Sequence, residues 1–220
     1  MNAPRTFLTL PSVRCALWKS AAAIPMRYLN LVSINYCRKT WSLFTAPGCP
    51  VCVLPMGRID SCVEIASHPE VIFCTFGDAM RVPGKQGSLL QAKARGADVR
   101  IVYSPMDALK LAQDNPTRKV VFFGLGFETT MPTTAITLQQ AKQRDVRNFY
   151  FFCQHITLIP TLRSLLEQPD NGIDAFLAPG HVSMVIGTEA YQFIAADFNR
   201  PLVVAGFEPL DLLQGVDDAG

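Results

Sequence analysis

The stretch Val71-Ile72-Phe73-Cys74-Thr75-Phe76-Gly77-Asp78 shows the pattern that decides the fold: a short apolar run that ends at a glycine and an acid. Apolar runs of this length, without alternation of polar residues, are typical of strands that are buried on both faces of a parallel sheet. The same pattern predicts further strands at Val99–Tyr103, Lys119–Leu125, Phe149–Cys153, Asp174–Ala178 and Leu202–Ala205.

Helices are predicted between these strands. A serine and a proline at Ser104-Pro105 are typical of a helix start, because serine caps the free N–H groups and proline suits the first turn. The other predicted helices are Asp60–Ser67, Leu89–Ala94, Thr134–Lys142, Pro160–Glu167, Gly187–Asp197 and one that begins at Leu210. The alternation predicts an α/β fold with mainly parallel sheets and helices on both faces.

A strand followed by Gly-Phe-Glu occurs twice, in Val120–Glu128 and in Val203–Glu208. This repeat favours two similar α/β domains with a boundary near Phe127. We therefore expect a first domain at 47–126 and a second at 127–216, with an irregular segment at 1–46 and a short tail at 217–220.

Composition excludes several classes of protein. The 220-residue chain is 49% hydrophobic with a net charge of +2, and it contains no apolar run long enough to span a bilayer. From Met1 to Ile59 there is no Asp or Glu, whereas the rest of the chain is acidic overall and has no basic stripe for nucleic acid. Seven cysteines in a chain of this length favour cytoplasmic, reduced thiols over a secreted disulfide framework.

The stretch Ala46-Pro47-Gly48-Cys49-Pro50-Val51-Cys52-Val53 carries a Cys-x-x-Cys pair among prolines and a glycine. Cys49 and Cys52 can close a small disulfide or hold one metal ion, and a helix N-terminus nearby would lower a thiol pKa. The alternative is a buried, unreactive pair. Structural zinc is not expected, because it needs four ligands and the sequence has no second Cys-x-x-Cys. Core packing is predicted for three other cysteines: Cys62, Cys74 and Cys153.

Polar residues follow several of the predicted strands, at the edge where ligands bind in α/β sheets. Histidines here are ligand or proton-transfer candidates, although hydrogen-bonded structural roles are the commoner alternative. The glutamates are candidate acids, bases or partner anchors, with capping of the following helix as their alternative. These candidates are Asp78, Glu128, His155, His181 and Glu208.

Six motifs in order resemble the HypD family of hydrogenase maturation proteins. The resemblance runs from Pro47 to Val216 and rests on Pro47–Val53, Thr75–Gly84, Tyr103–Leu109, Gly126–Thr130, Pro179–Ser183 and Gly206–Asp211.

This resemblance implies a scaffold, rather than a turnover enzyme, on which the iron of NiFe hydrogenase receives cyanide and carbonyl ligands. It implies a HypC-type small chaperone and a HypE-type cyanide donor as partners. Cys49 and Cys52 match the family's Cys-x-x-Cys, which implies iron binding or redox exchange, and soft thiolates suit such an iron. The family also has a C-terminal domain with a 4Fe-4S cluster, which has no counterpart in these 220 residues.

The chain departs from the family before Pro47, where a Cys-Gly-Gly-His-Thr motif is expected. The segment Ala16–Tyr28 can be back-translated so that a shifted reading frame encodes Ile-Met-Glu-Val-Cys-Gly-Gly-His-Thr-His-Ala-Ile. We therefore expect residues 1–46 and 217–220 to be out of frame and the maturation activity to be impaired. A cleavable transit peptide is the alternative for the first segment.

Two other function classes remain open on the sequence alone. One is a thiol-disulfide oxidoreductase that uses Cys49 and Cys52. The other is an α/β binding module in which this pair is inert.

Overall fold

A computed structural model describes residues 14–18, 42–46, 49–169, 171–206 and 208–219. The described residues divide into two compact units, one of which is Cys49–Leu158. The other combines the described parts of Met1–Gly48 and Ile159–Gly220. No helix in the described ranges is both long and apolar enough to cross a membrane.

Strands and helices alternate along the described chain. The strands are β1 (Arg14–Trp18), β2 (Ser42–Ala46), β3 (Val71–Thr75), β4 (Val99–Ile101), β5 (Lys119–Gly126), β6 (Phe149–His155), β7 (Ala175–Pro179) and β8 (Leu202–Ala205). The α-helices are α1 (Pro50–Val53), α2 (Met56–Ala66), α3 (Leu89–Ala94), α4 (Pro105–Asp114), α5 (Met131–Gln143), α6 (Leu158–Leu166), α7 (Gly180–Ile186), α8 (Gln192–Phe198) and α9 (Pro209–Ala219). Short 3-10 turns lie at Ala79–Arg81, Glu128–Thr130 and Glu189–Tyr191.

The unit Cys49–Leu158 contains a parallel sheet with the strand order β4-β3-β5-β6. The chain passes from β3 through α3 to β4 on one side, and from β5 through α5 to β6 on the other. The direction of winding therefore changes between β3 and β5. In sheets of this kind, the crevice outside the carboxyl ends of the strands at such a switch point is where ligands bind.

Two hydrophobic layers cover this sheet. On one face, α2 and α3 pack against strand residues such as Phe73 and Phe123. On the other, α4 packs against Ile72 and Phe122. Neighbouring residues such as Phe122 and Phe123 face opposite layers because side chains alternate along a strand. The predicted α/β fold with parallel strands and helices on both faces is confirmed.

Local sequence signals explain where two helices begin. The Ser104 hydroxyl accepts a hydrogen bond from the Met106 N–H at 3.1 Å, and Pro105 occupies the first turn of α4. Ser88 and Gln91 form a reciprocal capping box at the start of α3. These contacts satisfy N–H groups that have no partner inside the helix.

The predicted domain boundary near Phe127 lies inside the unit Cys49–Leu158. The physical reason is strand pairing: β6 pairs with β5 from Phe149 opposite Val120 to His155 opposite Gly126. This register joins both strands in one sheet, so the compact unit extends to Leu158.

The other unit also has a parallel sheet, with the order β2-β1-β7-β8. The expected irregular structure of segment 1–46 does not hold for β1 and β2, which pair with each other and, through β1, with β7. The rest of that segment lies outside the described residues. At the other terminus, α9 continues to Ala219 and so includes most of the predicted tail.

The sequence missed α7, which begins directly after β7 at Gly180. It ends at Gly187, whose φ of 78° suits glycine and stops the helix. The predicted helix over Gly187–Asp197 is therefore divided into the 3-10 turn Glu189–Tyr191 and α8.

Candidate functional site

Cys49 and Cys52 lie at the start of the short helix α1. Cys49 is the N-cap residue with an extended backbone (φ −122°), and Pro50 follows in the first turn. The Cys52 N–H donates to the Cys49 carbonyl at 3.1 Å, which folds one helical turn around the pair. Both thiols are free, with Cys49 half-buried and Cys52 exposed. The pair thus lies at a junction between a loop and a helix.

A side-chain hydrogen bond with Cys49, followed by burial and by the charge of Cys49, raises the pKa of the Cys52 thiol above its ordinary value. The sequence suggested the opposite direction, because a helix N-terminus lowers a thiol pKa. α1 has only four residues, and the interaction with the neighbouring thiol is the largest cause of the shift.

α1 lies on the face of the sheet that α2 and α3 also cover. Val51 and Leu54 pack against the cluster that contains Phe123 and Leu125. The thiol pair therefore lies on a helix that packs against the sheet. Polar residues described below follow the strands of the same sheet.

Thr75 is the last residue of β3 and was not singled out by the sequence. Its side chain has 0% exposure, and its Oγ1 has no hydrogen-bond partner among the described residues. By strand alternation Thr75 faces the same layer as Phe73, which is the layer that α1 covers. The one sequence signal that points to Thr75 is its hydroxyl, which lies in an otherwise apolar strand just before Gly77-Asp78.

Asp78 and Glu128 follow β3 and β5, on the two sides of the switch point. Asp78 is exposed, and its Oδ1 accepts a hydrogen bond from the Ala79 N–H at 2.8 Å, so it caps the turn Ala79–Arg81. Glu128 is only 5% exposed. Its Oε1 accepts from the Leu158 N–H at the start of α6, and its Oε2 has no partner among the described residues. Glu128 therefore caps a helix 30 residues further on.

His155 ends β6 and is half-buried, and burial lowers the pKa of its imidazole. Its Nδ1 lies 3.8 Å from the Sγ of Cys153. Cys153 is exposed, so its predicted core role is wrong, because β6 is an outer strand of the sheet. Cys62 and Cys74 are buried as predicted, and burial raises the pKa of both thiols to about 12.

His181 and Glu208 belong to the other unit. His181 is half-buried in α7, and Glu208 is exposed directly before α9, where its carbonyl accepts from the Leu212 N–H at 3.1 Å. Their proposed supporting roles remain predictions.

Cys49 and Cys52 provide two soft ligands for a metal ion. Within the described ranges, no group of three or more His, Cys, Asp or Glu residues comes together. The pair alone therefore supplies at most two ligands to a metal ion, and the described residues do not fit a 4Fe-4S cluster, which needs four thiolates.

Comparison with known proteins identifies one family. The HypD family model, described as "Hydrogenase formation hypA family", matches residues 35–219. The chain is 95% identical over 170 residues to the hydrogenase maturation factor HypD of Escherichia coli, covering 77% of this chain and 46% of that protein. It is 65% identical over 170 residues to the HypD of Rhodobacter capsulatus, covering 77% of this chain and 45% of that protein.

The chain thus spans about half the length of these curated relatives. Among solved structures, a ligand-free substrate binding protein from Clostridium difficile covers 94% of this chain, and the chain covers 82% of it. The TM-score is 0.17 at 12% identity, so this likeness supports no statement about fold or function.

Proposed function

Because the chain belongs to the HypD family, we propose that it acts in hydrogenase maturation as a scaffold for the iron that receives cyanide and carbonyl ligands. One observation carries this proposal: Cys49 and Cys52 place two free thiols on one accessible helical turn. The relatives' names as hydrogenase maturation factors support the process. The role of the pair in binding iron is inferred from the chemistry of its two thiols.

The thiol pair would bind the iron as cargo. Thiolates are the soft ligands that suit a low-spin iron bearing cyanide and carbonyl. Two protein ligands leave the remaining coordination positions free for the incoming groups. The exposed Cys52 keeps the iron accessible to a donor protein, whereas the half-buried Cys49 anchors the turn.

Protons must leave the thiols before metal binds. Because contact with Cys49 raises the pKa of Cys52, iron competes with a tightly held proton at this sulfur. Iron binding should therefore strengthen as pH rises through the alkaline range and weaken toward neutral pH.

The partners belong to the same proposal. A HypC-type small chaperone would bring or share the iron, and a HypE-type protein would donate cyanide. The setting would be the cytoplasm, where thiols stay reduced. Cyanide delivery requires an open face at the iron, which the exposure of Cys52 supports.

A thiol-disulfide oxidoreductase is the second candidate. The observation that favours it is the contact between the two thiols, because closing a disulfide then needs little movement. In that reaction the pair would lose two protons and two electrons to a partner disulfide, which would be reduced to two thiols.

Iron content after anaerobic co-expression with a HypC-type chaperone separates these candidates. We expect iron to co-purify with the chain and to be lost from Cys49→Ser and Cys52→Ser variants. Cys62→Ala is the matched control, since that thiol lies on the buried face of α2 and should not contribute.

Full retention of iron in the Cys49→Ser/Cys52→Ser double variant would overturn the scaffold proposal. An iron-free chain that shows a reversible two-electron thiol couple, lost in the same variants, would favour the oxidoreductase instead. An iron-free chain without such a couple would indicate that Cys49 and Cys52 are an inert pair.

A further inference from the structure

We propose that Cys153 and His155 form a second metal site, a two-ligand site for a thiophilic divalent ion such as zinc or ferrous iron on the open edge of the sheet. This site is separate from the Cys49–Cys52 pair and does not depend on the function proposed for that pair.

The placement of both groups follows from the strand. Cys153 and His155 are two residues apart on β6, so their side chains project from the same face. β6 is the outer strand in the order β4-β3-β5-β6. Cys153 is exposed and His155 is half-buried, so an ion can reach the sulfur from solvent while the imidazole is held by the protein.

The distance between the two ligand atoms suits a bound ion. Cys153 Sγ and His155 Nδ1 are 3.8 Å apart. With a metal–sulfur bond of about 2.3 Å and a metal–nitrogen bond of about 2.0 Å, this separation corresponds to an angle of roughly 120° at the ion. That angle lies close to tetrahedral or trigonal geometry, so β6 need not move to bind metal.

Packing holds the imidazole in place. The ring of Phe151 lies against His155, with centroids 5.7 Å apart, and it stacks on the buried ring of Phe122 at 6.0 Å. Phe151 also leans over Gly124, where a Cβ atom would collide with its ring. The ligand ring is therefore supported by the core, and metal binding orders few additional side-chain rotamers.

The remaining coordination positions are open. Within the described ranges, no third His, Cys, Asp or Glu joins this pair. Water, an external thiol or a side chain of another protein would complete the ion's coordination. Such a site binds and releases metal more readily than a closed four-ligand site, which fits transient holding of an ion.

Cobalt(II) titration under anaerobic conditions tests the site in the 220-residue chain. In a Cys49→Ser/Cys52→Ser background, we expect a near-ultraviolet sulfur-to-cobalt charge-transfer band that saturates at one ion per chain. Cys153→Ser should abolish the band, and His155→Gln should weaken binding by about tenfold. Cys62→Ala, which alters a buried thiol, should leave it unchanged.

A band that persists in Cys153→Ser, or an affinity unaffected by His155→Gln, would overturn the proposal. Alkylation of the unmodified chain gives a second readout that does not rely on the folding of any variant. Zinc should slow labelling of Cys153, as mapped by mass spectrometry, and equal labelling with and without zinc would contradict the site. The cobalt titration is done without Cys49 and Cys52, and the alkylation experiment maps these two cysteines separately from Cys153. Both results are therefore independent of the iron scaffold proposal.

Discussion

The two edges of the sheet in the unit Cys49–Leu158 differ in whether their polar groups have hydrogen-bond partners. At the amino edge, Asp98, Arg118 and Asn148, each directly before a strand, have side-chain hydrogen-bond partners. At the carboxyl edge, Thr75 Oγ1 and Glu128 Oε2 are buried and have no hydrogen-bond partner among the described residues. Buried polar groups are normally paired, so orphaned atoms at one edge indicate where a ligand or partner group would bind.

The amino edge is held by a chain of contacts between successive strands. Arg118 Nη1 lies 2.6 Å from Asp98 Oδ2, and its Nη2 donates to the Val71 carbonyl at 2.9 Å. Asn148 Nδ2 donates to three carbonyls, those of Ala112, Asn115 and Arg118, at 2.8, 3.0 and 2.9 Å. These contacts join the starts of β3, β4, β5 and β6. The amino edge therefore stabilises the sheet, whereas the two buried atoms at the carboxyl edge contribute no hydrogen bond among the described residues.

The largest effect on stability is expected at Asn148. Asn148→Ala removes a side-chain amide that is shared among three carbonyls, so it should lower the free energy of unfolding by about 2 kcal/mol. Urea denaturation measures this. Arg147→Ala is the control, because this neighbouring side chain is exposed and forms an ion pair with the exposed Asp145. Equal unfolding midpoints for the two variants would contradict a stabilising role for the amino edge.

A smaller loss is expected at Asp98. Hydrogen bonds from Arg100, followed by those from Arg118, lower the pKa of this carboxyl below its ordinary value. Because the pKa is depressed in the folded state, the stabilisation is present above the unfolded pKa of about 4 and is lost as pH falls through the folded value. Asp98→Asn should cost about 1 kcal/mol at pH 7, since the pair is partly solvated.

The pH dependence checks this second prediction. Unfolding midpoints measured from neutral pH down to acid should fall less steeply below about pH 4 in Asp98→Asn than in the unmodified chain. Parallel curves for both proteins would show that Asp98 does not contribute to acid sensitivity.

At the carboxyl edge, removing a polar atom should stabilise the chain. Thr75→Val replaces an unpartnered buried hydroxyl by a methyl group of similar size and should raise the free energy of unfolding by about 0.5–1 kcal/mol. Thr137→Val is the matched control: Thr137 also has 0% exposure, but its hydroxyl donates to the Thr133 carbonyl at 2.8 Å. That variant should lose stability. If both variants change in the same direction, the two hydroxyls are equivalent and the contrast between the edges fails.

The smallest change in stability is expected for Glu128→Gln. The amide keeps an acceptor oxygen for the Leu158 N–H, so the unfolding midpoint should hardly move, whereas Glu128→Ala should lose about 1 kcal/mol with the cap. We also expect Glu128→Gln to reduce the iron retained by the chain, because it replaces Oε2, a buried carboxyl oxygen that has no hydrogen-bond partner among the described residues and so would bind a ligand or partner group. Unchanged iron content in Glu128→Gln, together with lower stability in Glu128→Ala, would assign Glu128 to capping alone.

The sequence predicted the elements whose causes are local. The strands from Val71 and from Lys119 follow from apolar runs, and α4 starts at Pro105 because Ser104 caps it. The helical turn that brings Cys49 and Cys52 together follows from their spacing and from Pro50.

Contacts between distant residues could not be predicted in this way. Whether Cys153 is buried depends on the position of β6 in the strand order. The apolar run of β6 is equally compatible with an inner and with an outer strand. Likewise, nothing near Glu128 indicates that its carboxylate accepts from the Leu158 N–H, because that contact depends on where β6 returns the chain.

By itself, the sequence determined the α/β class, the family and the thiol pair, since periodicity, capping and a short motif are properties of neighbouring residues. The tertiary structure alone decided which polar atoms have partners. Strand order placed Thr75 and Glu128 on two sides of one switch point, exposed Cys153 beside His155, and put Asp98, Arg118 and Asn148 in contact. The physical reason is that hydrogen-bond satisfaction in a parallel sheet depends on which strands are neighbours, and crossover helices separate those neighbours in sequence.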